Sequence, residues 1–307
     1  MQDRRAVRNT TKFPFQKRLY LAGLAALVTA ASAASGNPAP AELTAAIPPR
    51  AATALTGSEL VARLTPLDDA TRGDAILAQV LAGNVPSFLR RLRPVDRVLS
   101  EPGRAPVTVR LWVMPDYLAV GSDEDFVRVP LGLNQALAVA RAFAFTLPTR
   151  RMVDSIHEQA RRQLDPRPLP AGPAMSSVSY FSAHNRMIDQ QLAGLPLGAL
   201  VAGDKKDLVL TPRLAAQPGR VAIYGWHRPD GRPIQPLSCV HGEHYADYSH
   251  GVRLVSTVAY VDGQPRSIFE LLEDPRLSRL LSDEGPNLAA RALAGAPRAE
   301  LRAALSP

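Results

Sequence analysis

The stretch IYGWHRPDGRPIQPLSCVHGEHYADYSHGVRL, residues 223–254, holds four of the chain's six histidines and its one cysteine. An apolar run, Val221-Ala222-Ile223-Tyr224, leads into it, and a second, Leu254 to Tyr260, leads out. β-Branched and aromatic residues at this density read as strands. The stretch is therefore expected to be a polar loop system held between strands, with its titratable groups gathered in one place.

Outward from it, the chain mixes both kinds of element. Val107 to Val113 alternates like a half-buried strand, and Tyr117–Val120 and Phe126–Val129 read as two more. The acidic turn between them, Gly121-Ser122-Asp123-Glu124-Asp125, lacks the spaced ligands of a calcium loop and reads as solvated. Helical spacing recurs over Leu131–Phe145, Arg151–Leu164 and Ser177–Leu192, with His157 beside one apolar stripe and His184 on another. Gly203-Asp204-Lys205-Lys206-Asp207 reads as a solvated turn running into a strand; Asp204 and Lys206 are kept as site candidates because loops beside a polar site contribute to it. Ile268–Leu272 and the Ala/Arg-rich tail from Leu288 read as short helices.

Toward the N-terminus the pattern is helical. Thr56-Gly57-Ser58-Glu59 has capping-box spacing ahead of Leu60, Val61 and Leu64, and a second helix is predicted over Asp69–Leu81, stopping at Gly83. Ser87–Leu92 reads as a third helical turn with Arg90, Arg91 and Arg93 on a solvated face. Residues 35–56 are rich in Ala and Pro, as a linker would be. The expected fold class is α+β: an N-terminal helical segment followed by a mixed or antiparallel sheet packed with helices. The expected segments are 1–33, 34–56, 57–104 and 105–307.

The first 33 residues have the layout of an export signal. Basic residues end at Lys17-Arg18, an apolar run spans Leu19–Val28, and Ala31-Ser32-Ala33 supplies a small-x-small cleavage site. The run is short for a bilayer span, which needs roughly 20 residues, so no stable membrane span is expected after cleavage. The formal net charge is +8, but residues 1–34 hold six basic side chains against Asp3 alone. The remainder is close to neutral, which argues against a nucleic-acid partner. The expected location is periplasmic or secreted, and the expected partner is an envelope or extracellular polymer. A single cysteine excludes an internal disulfide. Cys239 is expected to be buried among Ile234, Leu237 and Val240, and chemically inert.

The chemistry centres on His241, Glu243, His244, Asp247 and His250, spaced by threes. Such a step drifts by about 60° per interval on an α-helix, so a turn-rich loop bounded by Gly242 and Gly251 suits convergence better. Three readings follow. Imidazole plus carboxylate suits Zn²⁺ with one open position for water, with His227, His241 and His244 as ligands. A His–Asp pair without metal can activate water, Ser249 or Cys239, with Asp247, His250 and Glu243 in the catalytic roles. Or the same side chains satisfy one another and only rigidify the fold. Arg253, Tyr248 and Lys206 are the expected substrate contacts, Arg253 for an anionic group.

Ser249-His250-Gly251-Val252-Arg253-Leu254 also resembles the Ser-His-Gly-Cys-Val-Arg-Leu motif of L,D-transpeptidases, and Val240-His241-Gly242 is similar to that family's upstream His-Gly pair. The resemblance implies an exported, peptidoglycan cross-linking enzyme. The family's cysteine position is missing, because Val252 directly follows Gly251, and His241 stands closer to Ser249 than the family's pair does. The leading functional expectation is an exported hydrolase of an envelope polymer such as peptidoglycan. The alternatives are a non-catalytic envelope or ligand-binding protein and a transpeptidase-like enzyme.

Overall fold

The computed structural model describes residues 39–295. The expected signal segment and the last residues of the Ala/Arg-rich tail lie outside the described residues. The fold is α+β, with antiparallel pairing dominant. Among the described residues, no helix is long and apolar enough to cross a membrane.

One sheet has seven strands. Leu43–Thr44, Arg91–Leu99, Val107–Val113, Val255–Ser256 and Phe145–Thr146 lie in that order, all antiparallel, and Val258–Val261 and Gln264–Ser267 extend it as a hairpin. A second sheet runs Pro233–Ser238, Ile223–His227, Lys206–Leu208, His250–Gly251, the last pair parallel. The polar stretch thus supplies three of this sheet's four strands. It then crosses to the first sheet through Val252, Leu254 and Val255, all fully buried.

The N-terminal helices follow their sequence signals. Thr56 caps Gly57–Leu64 with its hydroxyl on the Glu59 amide, and Glu59 returns a bond to the Thr56 amide. Asp68 caps Asp69–Leu81, and the chain leaves that helix at Gly83 with φ +80°, where a side chain would strike the Pro48 carbonyl.

Three expectations change. Only Ser87–Arg90 is helical, as a short 3-10 turn, and Arg91–Leu99 is a strand that pairs with Val107–Val113 over seven residues. The helical segment and the sheet therefore share one hydrogen-bonded unit across residue 104. Arg91 is solvated as expected, but the other two arginines are not: Arg90 donates to the Ile47, Gly83 and Val85 carbonyls and Arg93 to that of Gly198. Part of the Ala/Pro stretch is packed, since Leu43–Thr44 is a strand and Ala45 and Ile47 are buried. The acidic turn caps helix starts, with Asp125 accepting from the Ser58 amide and Asp123 from that of Ser87.

Helix lengths also shift for local reasons. Leu133–Ala142 ends before Phe143 because Ala144 turns to φ +56°, letting Phe145–Thr146 join the first sheet. Arg150–Gln159 stops so that Arg162–Gln163 can pair with Val201–Ala202. Val178–Leu192 is helical, capped by Ser177.

Candidate functional site

His250–Gly251 lies parallel to Lys206–Leu208, with His250 opposite Lys206 and the Lys206 amide donating to the Ser249 carbonyl at 2.7 Å. Gly251 is required there: a Cβ would sit 2.4 Å from the Tyr117 ring. The His-Gly pair thus has a packing reason independent of the transpeptidase motif.

Around this strand three of the expected residues come together. The His241 and Tyr245 rings stack at 4.2 Å between centroids, and both meet the His250 ring, at 6.2 and 5.5 Å. The Tyr245 hydroxyl donates to Asp247 Oδ2 at 3.1 Å, and that oxygen lies 4.0 Å from His250 Nε2. The other Asp247 oxygen accepts from the Ser249 amide at 2.8 Å and from its hydroxyl at 2.5 Å. His250 is fully buried, and neither of its ring nitrogens has a hydrogen-bond partner among the described residues. His241 and Tyr245 are partly exposed, so access to His250 runs past their rings.

Burial pushes His250 down to about 4, with Asp247 opposing and Lys206 reinforcing the shift. Burial works against ionised Asp247, but His250, the Ser249 hydrogen bonds and Lys206 together hold its carboxyl below the usual range. At neutral pH the pair is a neutral imidazole beside a carboxylate. Ser249 bonds to the carboxylate rather than to an imidazole, so it lacks the base an activated serine needs.

The other expected residues lie elsewhere. His227 Nε2 contacts Asp154 at 2.9 Å, its ring stacks on His157 at 4.8 Å, and Asp154 also accepts from Tyr224 at 2.8 Å. His244 is largely exposed and pairs only with Glu243, at 3.5 Å. His227, His241 and His244 therefore share no ligand point, and among the described residues no three His, Cys, Asp or Glu side chains stand as a metal set. Glu243 faces His244 instead of the His250–Asp247 pair. Tyr248 is buried, its hydroxyl bonded to the Leu169 backbone. Arg253 is buried as well and donates to the Met114 and Val201 carbonyls, so it is unavailable to an anionic substrate. Lys206 remains partly exposed.

Beneath the strand lies a charge lattice that sequence reasoning missed. Asp204, Lys205 and Asp207, expected in a solvated turn, are 1–2% exposed. Lys205 donates to the Tyr248 carbonyl at 2.7 Å and meets His184 Nδ1 at 3.2 Å. Asp207 accepts from the Tyr117 hydroxyl at 2.7 Å, and the Arg253 guanidinium lies over the Tyr117 ring. Arg128 forks onto Asp116 at 2.8 and 3.0 Å and reaches Asp189 at 2.8 Å. Both oxygens of Asp204 lack a hydrogen-bond partner among the described residues. One signal was present: the four charges sit between the apolar runs Leu200–Ala202 and Leu208–Leu210, which places three of them inside the molecule.

No family model, curated protein or solved structure matches this chain.

Cys239 is half-buried, not fully buried, and burial raises its thiol pKa. A raised pKa keeps it protonated and unreactive. Cys239→Ser should melt within a few degrees of the native protein, a cost of about 1 kcal/mol for a partly buried hydroxyl, and should keep any activity; an inactive, folded variant would contradict this.

The buried titratable groups also set an acid profile. Burial pushes His157 and His250 down to about 4 and His184 to about 2. These depressed imidazoles give stability above pH 6.5 that is lost as pH falls. Burial pushes Asp204 and Asp207 up to about 6, so these carboxyls add stability as pH falls through 6. Between pH 6 and 4 the unfolded chain holds up to three imidazole protons that the folded chain lacks, and the folded chain up to two carboxyl protons that the unfolded chain lacks. The difference of about one proton lowers stability by about 1.4 kcal/mol per pH unit. Urea unfolding at pH 7, 6, 5 and 4 measures this slope; a profile that stays flat or rises toward pH 4 would show that the two carboxyls outweigh the histidines.

Proposed function

We propose that the chain is an exported hydrolase of a cell-envelope polymer such as peptidoglycan, with His250 as general base and Asp247 as its carboxylate partner. One observation carries the reading. A buried imidazole with two unpartnered nitrogens costs stability that an apolar side chain packed against the same rings would not, and a reacting water or substrate is the partner it lacks.

In this scheme the His241–Tyr245 pair moves aside and a water reaches His250. The neutral ring accepts the water's proton as the oxygen attacks the scissile bond, Asp247 stabilises the imidazolium, and the proton passes to the leaving group. No step is routed through zinc, because His227 and His244 stand apart from His241. The transpeptidase-like alternative lacks support at its nucleophile, since Val252 follows Gly251 and is buried in the core.

Export rests on the pattern of residues 1–33. The test is incubation of the mature chain with purified murein sacculi and chromatography of the soluble fraction. Fragments should accumulate with time, and not with His250→Leu. Protein that pellets with intact sacculi and releases nothing would replace the hydrolase by a binding protein.

A further inference from the structure

Lys206, opposite His250 on the neighbouring strand, and Trp226, beneath the Lys206 ammonium, bear two groups that have no hydrogen-bond partner among the described residues. The Lys206 ammonium lies over the Trp226 ring, 5.4 Å from its centre. Among the described residues it makes no hydrogen bond and no ion pair, although it is close enough to bias both Asp247 and His250. Trp226 is 4% exposed, and its indole N–H has no acceptor among the described residues. Its backbone is held at φ +53°, after Gly225 at φ +103°, with its amide on the Lys205 carbonyl at 3.1 Å. A tryptophan in the left-handed region is strained, and such strain concentrates where function needs a fixed side chain.

An ammonium and an indole are donors only. The group that satisfies both must be an acceptor, and the positive charge selects an anion. Arg253, the cation the sequence singled out for this role, is already committed to backbone carbonyls beneath the strand. The parallel register puts Lys206 directly opposite His250, so the anion would lie beside the reacting bond.

We propose that Lys206 and the indole N–H of Trp226 form a carboxylate-binding subsite, and that the molecules the protein acts on carry a free carboxylate next to the bond at His250. The proposal deepens the hydrolase reading and rests on it for the fate of the bound molecule, but not for binding. Its two oxygens give the carboxylate one acceptor for each donor. The ammonium supplies the charge and the buried indole the directional bond.

The experiment is an NMR titration of the mature chain, labelled with ¹⁵N, using N-acetylalanine and N-acetylalaninamide as probes. The chain has two tryptophans, hence two indole signals, and Trp226→Phe assigns them. The acid should shift the Trp226 indole proton saturably, while the amide should bind at least tenfold more weakly. Lys206→Met should weaken the acid at least tenfold and leave the amide unchanged, and Lys206→Arg should restore most of the affinity. The proposal is overturned if acid and amide behave alike, if neither moves the Trp226 signal, or if Lys206→Met binds the acid as the native protein does. Acid-selective binding with no release from sacculi would sink the hydrolase reading and leave the subsite standing.

Discussion

His250→Leu should lose activity on murein sacculi by about 10²- to 10⁴-fold, the contribution of a positioned general base, while its stability stays equal to that of the native protein or rises. The two expectations belong together. The imidazole is fully buried, and its two nitrogens are unpartnered. Leu removes those polar atoms and keeps most of the apolar contact with His241 and Tyr245, so the desolvation cost disappears. Asp247 keeps its Ser249 bonds and the nearby Lys206 charge. Rates of fragment release and a urea titration, run on the same preparations, separate the outcomes. A variant that loses stability and activity in parallel would make His250 a packing residue. One that keeps activity would move the base elsewhere, with the Asp154–His227 pair the first place to look.

The parts of the fold legible in sequence were those set by local signals. Thr56 and Glu59 announced a helix start, Asp69–Leu81 was bounded by its cap and by Gly83, and Val107–Val113 alternated openly. Arg91–Leu99 was illegible because three arginines and Pro94 interrupt its period of two; what makes it a strand is Val107–Val113, its partner. The site was legible in half. His241, Asp247 and His250 meet because a short loop returns onto one strand. His227 departs because the strand Ile223–His227 bulges and twists through Gly225 and Trp226, sending its end toward Asp154. Arg253, Asp204, Lys205 and Asp207 were misplaced for a common reason. Charge in sequence argues for solvent, and only the tertiary partners on Asp116, Tyr117 and Arg128 make burial tolerable.

Those partners make the lattice the most sensitive part of the fold. Asp116→Ala should cost about 3–5 kcal/mol, the range for removing one member of a buried ion pair. Asp116 is 4% exposed and takes the Arg128 fork and the Tyr117 amide, at 2.6 Å. Without it the Arg128 guanidinium, 1% exposed, keeps only Asn185 and the half-exposed Asp189. Burial holds the Asp204 carboxyl up, and Asp116 reinforces the effect. Loss of Asp116 removes a like charge from beside Asp204, whose carboxylate offsets part of the Arg128 charge, which places the cost nearer the lower bound. Asp189→Ala should cost under about 1 kcal/mol, since its carboxylate faces solvent. The double variant Asp116→Leu with Arg128→Met should recover most of the loss, because a buried pair replaced by apolar groups of similar size is often neutral. Urea denaturation of the four proteins measures all of this. If Asp116→Ala cost no more than Asp189→Ala, the lattice would be hydrated rather than dry, and its charges would be held by water instead of by one another.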